Sequence, residues 1–303
     1  MNNTILVAGG TGHLGQFIVN ALLQLGADVR LLSRPGSNPA VVQALAQAGA
    51  HILAVDPMDT AGLVRACTGA GCVVSALAGL RPVVVDAQQR LLDAAVSAGV
   101  PRFIPSDYSL DFTPFEPGEN RNLDWRRAFH QYLDRQPIAA TSIFNGAFME
   151  LLTGDMPLIL PRFHRILYWG RADHPIGFTA IPDVAVYTAH AALDPTTPRY
   201  LHIAGDLQSP RAIQGLMSEL SGQPYRLFRA GGARLLGTII SVARTLAPAP
   251  NDLYPAWQGM QYMHNMIDDR ADLPKLDNDR YPGLHWTTIR ELLMAHQDKL
   301  TNA

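Results

Sequence analysis

The chain has 303 residues, of which 48% are hydrophobic and 17% charged, a composition typical of a globular protein with one large α/β unit or two domains. Its formal net charge of −2 and its lack of a Lys/Arg block exclude nucleic acid as the main partner. No secretory signal, apolar run of about 20 residues or CxxC pair occurs, so we expect a cytoplasmic protein without a membrane partner or a zinc site.

Short apolar runs alternate with amphipathic helices over the first half of the chain. The run Ile5 to Ala8 predicts a strand that ends in a glycine cluster, and a helical pattern of apolar residues follows up to Leu25. Further strands are predicted over residues 27–34, 50–56, 71–77 and 102–108, and helices over 39–49, 60–68 and 83–100. This order is typical of an α/β protein with a doubly wound parallel sheet.

The second half is less regular. The segment 138–148 continues the pattern, whereas 154–182 is rich in proline and aromatic residues, and 200–205 predicts a late strand that returns to the sheet. From residue 207 onward we expect helices joined by loops. The predicted organisation is a nucleotide-binding domain over 1–153 with a return strand near 200–205, and a smaller, mostly helical lobe over 154–303 that is partly interleaved with it.

Glycines recur at every third position between the first strand and the first helix. A dinucleotide needs close backbone approach to its pyrophosphate and a helix N-terminus facing the anion, and glycines at this place supply both. The alternative is a glycine-rich turn without a ligand. The predicted cofactor loop comprises Gly9, Thr11, Gly12, His13, Leu14 and Gly15.

The second predicted strand ends with Ser33 and Arg34 and carries no carboxylate for the 2′-hydroxyl of NAD. An arginine fork suits a 2′-phosphate, so we predict NADP(H) rather than NAD(H), with a solvated Arg34 as the alternative. The fourth strand ends in three residues expected to pass the adenosine-side ribose, namely Ser75, Ala76 and Leu77.

Polar residues follow the fifth strand in "FIPSDY", at the sheet edge where open α/β folds bind ligands. Tyr108 is a candidate neutral proton donor for a substrate oxygen. The alternatives are turn capping by Ser106 and Asp107 and a packed, hydrogen-bonded Tyr108.

The segments "GGTGHLG", "VRLLSR", "AGVPRFIPSDY", "NGAFMELL" and "FTAIPDVAVYTAHAALD" resemble the NmrA-like and isoflavone-reductase-like group of atypical short-chain dehydrogenases, over about residues 3–205. The resemblance implies an NADP-binding Rossmann domain and a C-terminal lobe that closes over the nicotinamide. It also implies that Ser106 takes the position of the family serine and that Asn145 lies beside the nicotinamide. For Asn145 the alternative is a simple Asn-Gly turn.

That group contains reductases and also NADP-binding regulators without catalysis. Its reductases place a lysine on the helix after "PSxY", but the only lysines here are Lys275 and Lys299. Arg126, Arg127 and His130 occupy the corresponding helix instead.

The helix "NLDWRRAFHQYLDR" has an apolar stripe of Trp125, Phe129 and Leu133, which places Arg126 and His130 together on an adjacent face. His130 is a second candidate proton donor, and Arg126 is a candidate for stabilising an oxyanion. The alternative is that Arg126 and its neighbour Arg127 are surface charges paired with Asp124 and Asp134.

Aromatic and methionine-rich segments, "LILPRFHRILYWG" and "DLYPAWQGMQYMHNMIDD", are candidate walls of a substrate pocket. The alternative is that Trp257, Met260, Tyr262 and Met263 form the core of a helical lobe. The sequence thus predicts an NADPH-dependent oxidoreductase that reduces a small carbonyl, imine or enone substrate, with aromatic character as one option. The alternative function is a regulatory NADP(H)-binding redox sensor with a protein partner.

Overall fold

The computed structural model describes residues 3–154, 158–273 and 275–296. Its strands are, in chain order, β1 Thr4–Ala8, β2 Asp28–Ser33, β3 His51–Ala54, β4 Cys72–Ser75, β5 Arg102–Ile104, β6 Ala139–Ala140, β7 Ser142–Phe144, β8 Ala147–Phe148, β9 Ile159–Leu160, β10 Arg165–Trp169, β11 Ile176–Thr179, β12 Tyr200–His202, β13 Asp206–Gln208 and β14 Arg226–Gly231.

The helices begin with α1, which follows the glycine cluster directly. They are α1 His13–Gln24, α2 Pro39–Gln47, α3 Thr60–Cys67, α4 Gln88–Ser97, α5 Arg121–Leu133, α6 Ile181–Leu193, α7 Pro210–Ser221, α8 Ala233–Leu246, α9 Ala256–Met266 and α10 Ile289–Ala295. A turn of π-helix, Pro82–Ala87, leads into α4.

The main sheet has six parallel strands in the order β3-β2-β1-β4-β5-β6. The central strand β1 is buried from Ile5 to Ala8, as expected for a strand covered on both faces. The strand order reverses between β1 and β4, which opens a crevice at their carboxyl ends. The predicted doubly wound fold is confirmed.

Helix α6 completes the covering of the sheet although it lies beyond residue 153. Its Val184 and Tyr187 share a core cluster with Ile18 and Leu22 of α1 and with Val7 of β1. The nucleotide-binding unit therefore draws on both halves of the chain.

Strand β12 lies within the segment of the predicted return strand. It pairs in parallel with β7, in a separate two-stranded sheet. Thr141 links β6 to β7. Its backbone N–H donates to Phe103 O in β5, whereas the backbone N–H of Ser142 donates to Arg199 O, which precedes β12. β6 and β7 are thus separated only by Thr141, and β12 lies on the opposite side of this chain segment from β5.

Strand β14 was not predicted, because its side chains are mostly exposed or half-buried and show no buried face. It pairs in parallel with β10. Helix α8 has 14 residues, fewer than the roughly 20 that cross a bilayer. No helix in the described ranges is long and apolar enough to span a membrane.

Candidate active site

The glycine loop lies between β1 and α1, against the end of β4. Gly9 has φ +78°, and a Cβ there would lie 2.5 Å from Ala76 O. A Cβ on Gly15 would collide with Gly9 O and approach Gly10 Cα at 2.6 Å. Both glycines are therefore required by the protein's own packing.

Gly12 is different, because its backbone angle is an ordinary −77° and a Cβ would meet only Gly9 O, at 3.2 Å. A side chain at Gly12 would therefore need a small shift of the loop backbone, whereas one at Gly9 or Gly15 would collide with it. Gly12 is also the N-cap of α1, without a side-chain cap and without an acidic residue in the first turn. A bare, positively polarised helix end beside an open glycine backbone fits a pyrophosphate.

Arg34 follows Ser33, the buried last residue of β2, and is exposed. Its guanidinium makes no hydrogen bond or ion pair with any residue that the structure describes. These two residues lie at the same carboxyl edge as the glycine loop, since β2 pairs in parallel with β1.

The ends of β4 and β5 are tied together by Ser106. Its hydroxyl donates to Leu77 O at 2.7 Å, and its backbone N–H donates to Gln88 Oε1 at 2.9 Å. Gln88 is fully buried at the start of α4, after the π-helical turn, and no sequence pattern singled it out. The nearby Ser75 hydroxyl is buried without a partner among the described residues, and Ala76 separates it from Leu77.

Arg126 reaches this edge from α5. Its Nε donates to Ser106 O at 3.1 Å and its Nη1 donates to Asn122 O at 3.2 Å. Within the described chain its Nη2 has no partner, and the residue is half-buried. Among the described residues, neither Arg126 nor Arg127 forms an ion pair with Asp124 or Asp134, which was the alternative. Arg127 donates to Phe112 O instead.

His130 lies one turn beyond Arg126 and is 5% exposed. Its Nε2 is 2.5 Å from Asp107 Oδ2, which also accepts a 2.6 Å hydrogen bond from Ser142. Burial alone would raise the pKa of Asp107, but His130, Ser142 and Arg126 together hold that pKa below its usual value. Because its Nε2 is held by Asp107 and its ring is buried, His130 is not placed to give a proton to a substrate. This corrects the expectation that His130 is a proton donor.

Tyr108 also departs from its predicted role. Its ring belongs to the core under α6, in the same cluster as Cys72, and its hydroxyl is buried with no hydrogen-bond partner among the described residues. Cys72 begins β4, so the phenol points away from the carboxyl edge. Burial also raises the pKa of Tyr108 above the usual value of a tyrosine. Tyr108 is thus packed as in the alternative but lacks the hydrogen bond that the alternative included, and it is removed from the catalytic candidates.

Asn145 directly follows β7 and is fully buried. Its backbone N–H donates to Ser109 O and its carbonyl accepts from Thr179, while its Oδ1 has no hydrogen-bond partner among the described residues. Gly146 follows with φ +66°, and a Cβ there would collide with Gly177 O, so the tight Asn-Gly turn is real. The unpartnered Oδ1 leaves an acceptor for a ligand.

The loop before α9 is docked on α5, which the sequence did not indicate. Asn122 Nδ2 donates to Leu253 O at 3.2 Å, and the same Asn122 accepts from Arg126. Tyr254 follows Leu253 with 59% of its side chain exposed. Partial burial raises the pKa of Tyr254, and the nearby Arg126 guanidinium opposes that rise.

Most of the predicted pocket wall is core. Trp257 is buried and donates to Ala247 O, and Tyr262 and Met263 pack against the core of the C-terminal lobe, while Met260 is half-buried. A cavity of about 480 Å³ lies between α8, α9 and Glu119. Its lining includes neither Arg126, Ser106 and Asn145 nor any residue of the glycine loop, so this cavity is separate from the sheet edge that bears them.

One group of side chains offers metal-ligand chemistry among the described residues, namely His174, Asp269 and Asp272. Arg171 already donates to Asp269 and lies 2.9 Å from His174 Nδ1, while His174 Nε2 is 3.1 Å from Met266 O. Because protein groups satisfy Asp269 and both ring nitrogens, we assign no metal to it.

Comparison with known proteins agrees with this architecture. A bifunctional pinoresinol-lariciresinol reductase of Linum album is 27% identical over 320 residues, covering 96% of this chain and 94% of the relative. An isoflavone reductase homolog, IRL, of Zea mays is 30% identical over 237 residues, covering 73% and 75%.

The solved structure of AtPrR2 with NADP+ and (+)pinoresinol has a TM-score of 0.78 at 22% identity, covering 96% of this chain and 98% of its own. At that identity the likeness supports the fold alone. The model of the NmrA-like family matches residues 1–269, which is most of the chain. The protein therefore belongs to the NmrA-like family.

Proposed function

We propose that the protein binds NADP(H) and reduces a small aromatic substrate by hydride transfer. The observation that carries this proposal is the Arg126 guanidinium, held at Ser106 O on the edge that also bears the glycine loop, with Nη2 unengaged. The relatives named above are reductases, and one solved neighbour holds NADP+ and an aromatic ligand.

The cofactor contacts in this proposal follow the sheet edge. Gly12 and the start of α1 face the pyrophosphate, and Arg34 takes the 2′-phosphate. The backbone after Ser75 passes the adenosine-side ribose, and Asn145 Oδ1 accepts a hydrogen bond near the nicotinamide. Bound NADPH supplies the hydride.

Arg126 is the proposed electrophilic group. A guanidinium keeps its proton at every working pH, so it binds the substrate oxygen and stabilises the negative charge that develops there. This favours substrates whose reduced form carries charge on oxygen or nitrogen, such as a carbonyl, an imine or an enone. The product takes its proton from water, since Tyr108 is buried in the core and His130, although one turn from Arg126, is enclosed with its Nε2 held by Asp107.

Tyr254 is the proposed aromatic contact. Its exposed ring follows Leu253, whose carbonyl accepts a hydrogen bond from Asn122, so Tyr254 is held near the turn of α5 that precedes Arg126. An aromatic ring next to a cation offers a stacking surface for a substrate ring.

The test is NADPH oxidation by the purified protein with (+)-pinoresinol, lariciresinol, an isoflavone and fractionated metabolite extract. Binding of NADPH is first established by nicotinamide fluorescence. We expect turnover in the wild type, a loss of about 100-fold in Arg126→Gln, and retention in Arg126→Lys. NADPH binding by both variants should stay close to wild type. Undiminished turnover in Arg126→Gln would contradict the role of Arg126.

A regulatory NADP(H)-binding function is the second candidate. It is favoured by the lack of a lysine on α5, where Arg126 and Arg127 stand instead; Lys275 is exposed in the C-terminal part, and Lys299 lies outside the described residues. Firm binding without oxidation in any fraction supports this candidate. A redox sensor must also bind NADPH and NADP+ with different affinities, because only differential binding shifts a conformational equilibrium.

A further inference from the structure

Helix α5 and the segment after β5, residues 105–112, are joined by two neighbouring contacts. Arg126 binds the backbone oxygen of Ser106, and His130, one turn later, binds the side chain of Asp107. Residues four apart lie on one face of a helix, so consecutive residues of the segment meet consecutive turns of α5. Either contact therefore restrains the geometry of the other.

The contact between His130 and Asp107 is the more strongly built of the two. Both side chains are buried and approach to 2.5 Å. Asp107 accepts a second hydrogen bond from Ser142, whose hydroxyl in turn accepts from Arg199 at 2.6 Å. The ring of His130 packs 4.8 Å from that of Phe112. A buried pair with this many partners fixes one geometry, because any displacement leaves a charge without compensation.

We propose that His130 is a positioning residue that holds the Arg126 guanidinium at Ser106. The inference rests on the proposed function for what Arg126 does, but the positioning itself needs neither cofactor nor substrate. His130 acts through the helix and through Asp107, since its own ring is enclosed.

A further tie keeps the helix docked when His130 is replaced. Arg127 Nη2 donates to Phe112 O at 2.8 Å, at the far end of the same segment. Loss of the His130 contact should therefore loosen the turn that carries Arg126 without detaching α5.

The experiment measures how fast phenylglyoxal, a reagent for guanidinium groups, modifies Arg126 in the protein without cofactor. Peptide mass mapping gives the rate at Arg126 relative to that at the exposed Arg34. We expect His130→Ala to raise this ratio about tenfold, as for the loss of one hydrogen bond to a charged group. In His130→Gln the amide reaches the same Asp107 oxygen, so the ratio should stay near wild type.

The matched control is His202→Ala. His202 Nε2 lies 2.9 Å from Asp111 Oδ2, so it anchors the same segment to β12 and not to α5. We expect no more than a twofold change there. An unchanged ratio in folded His130→Ala, an equal rise in His130→Gln, or an equal rise in His202→Ala would each overturn the proposal.

If His130→Ala gives no cooperative thermal transition, Asp107→Asn replaces it, because that change keeps the volume and removes the charge. A rise in the labelling ratio at Arg126 that is smaller than tenfold supports the proposal. The absence of any rise overturns the proposal. Where turnover has been established, His130→Ala should lower kcat while NADPH binding stays unchanged. If the labelling follows these expectations while the wild type shows no turnover with any substrate, the proposed function has failed and the positioning role of His130 stands.

Discussion

The Asn122 side chain donates a hydrogen bond to Leu253 O, 3.2 Å away, and thereby brings the loop before α9 onto the first turns of α5. The two residues are 131 positions apart in the chain. Tyr254 is carried with this loop to the neighbourhood of Arg126.

Replacement of Tyr254 tests the proposed aromatic contact. Tyr254→Ala should raise KM for the substrate identified by NADPH oxidation about tenfold, because one stacking surface is lost. Tyr254→Phe keeps the ring and should stay within about twofold of wild type. Equal losses in both variants would assign the effect to the hydroxyl instead of the ring, and unchanged KM in both would remove Tyr254 from the site.

The glycine loop offers a matched pair of variants. Gly12→Ala should fold with at most a small loss of stability and weaken NADPH binding by about tenfold or more, because its Cβ would meet only Gly9 O, at 3.2 Å, within the described protein and would occupy the space proposed for the pyrophosphate. Gly15→Ala should lower the thermal unfolding midpoint, since its Cβ collides with Gly9 O and Gly10. Fluorescence titration and thermal scans separate the two effects. A Gly12→Ala protein destabilised as much as Gly15→Ala would contradict this division of roles.

Cofactor preference depends on Arg34. Arg34→Ala should weaken NADPH binding about tenfold and leave NADH binding almost unchanged, because only the 2′-phosphate meets the guanidinium. Arg162→Ala, another exposed arginine remote in sequence, is the control. Parallel losses for both nucleotides would remove Arg34 from the site.

Acid stability should depend on Asp107. Its pKa is lowered in the folded protein by His130, Ser142 and Arg126 against the effect of burial, so its contribution is present above the unfolded value near pH 4 and is lost as pH falls through the folded pKa. Asp107→Asn should lower the free energy of unfolding by about 3 kcal/mol at pH 7. It should also make that free energy depend less on pH in the acid range.

Thermal unfolding midpoints between about pH 7 and pH 3 measure this effect. The control is Asp173→Asn, which breaks an exposed pair with Arg211 and should change little. If wild type and Asp107→Asn lose stability in parallel on acidification, another carboxylate is responsible.

Much of the nucleotide-binding unit was predictable from local patterns. The apolar run before Gly9, the glycine spacing and the helical repeat after it define β1, the loop and α1, because each depends on residues close together in the chain. The alternation that follows predicts a parallel sheet, since short strands joined by helices have few other ways to pair.

The site depended on contacts that no local pattern carries. Tyr108 and His130 both looked available for catalysis, but one turns into the core and the other is bound to Asp107. Gln88 could not be distinguished from other helix residues, yet it holds Ser106. The direction of a side chain at the end of a strand is decided by what packs against it.

The sequence by itself thus determined the doubly wound fold, the glycine loop and Arg34 at the end of β2, because periodicity and backbone freedom are properties of neighbouring residues. Only the tertiary structure decided that Arg126 meets Ser106, that His130 is enclosed, that β12 pairs with β7, and that Tyr254 stands beside α5. Those choices rest on burial and hydrogen bonding between segments far apart in the chain, where many pairings satisfy the same local pattern.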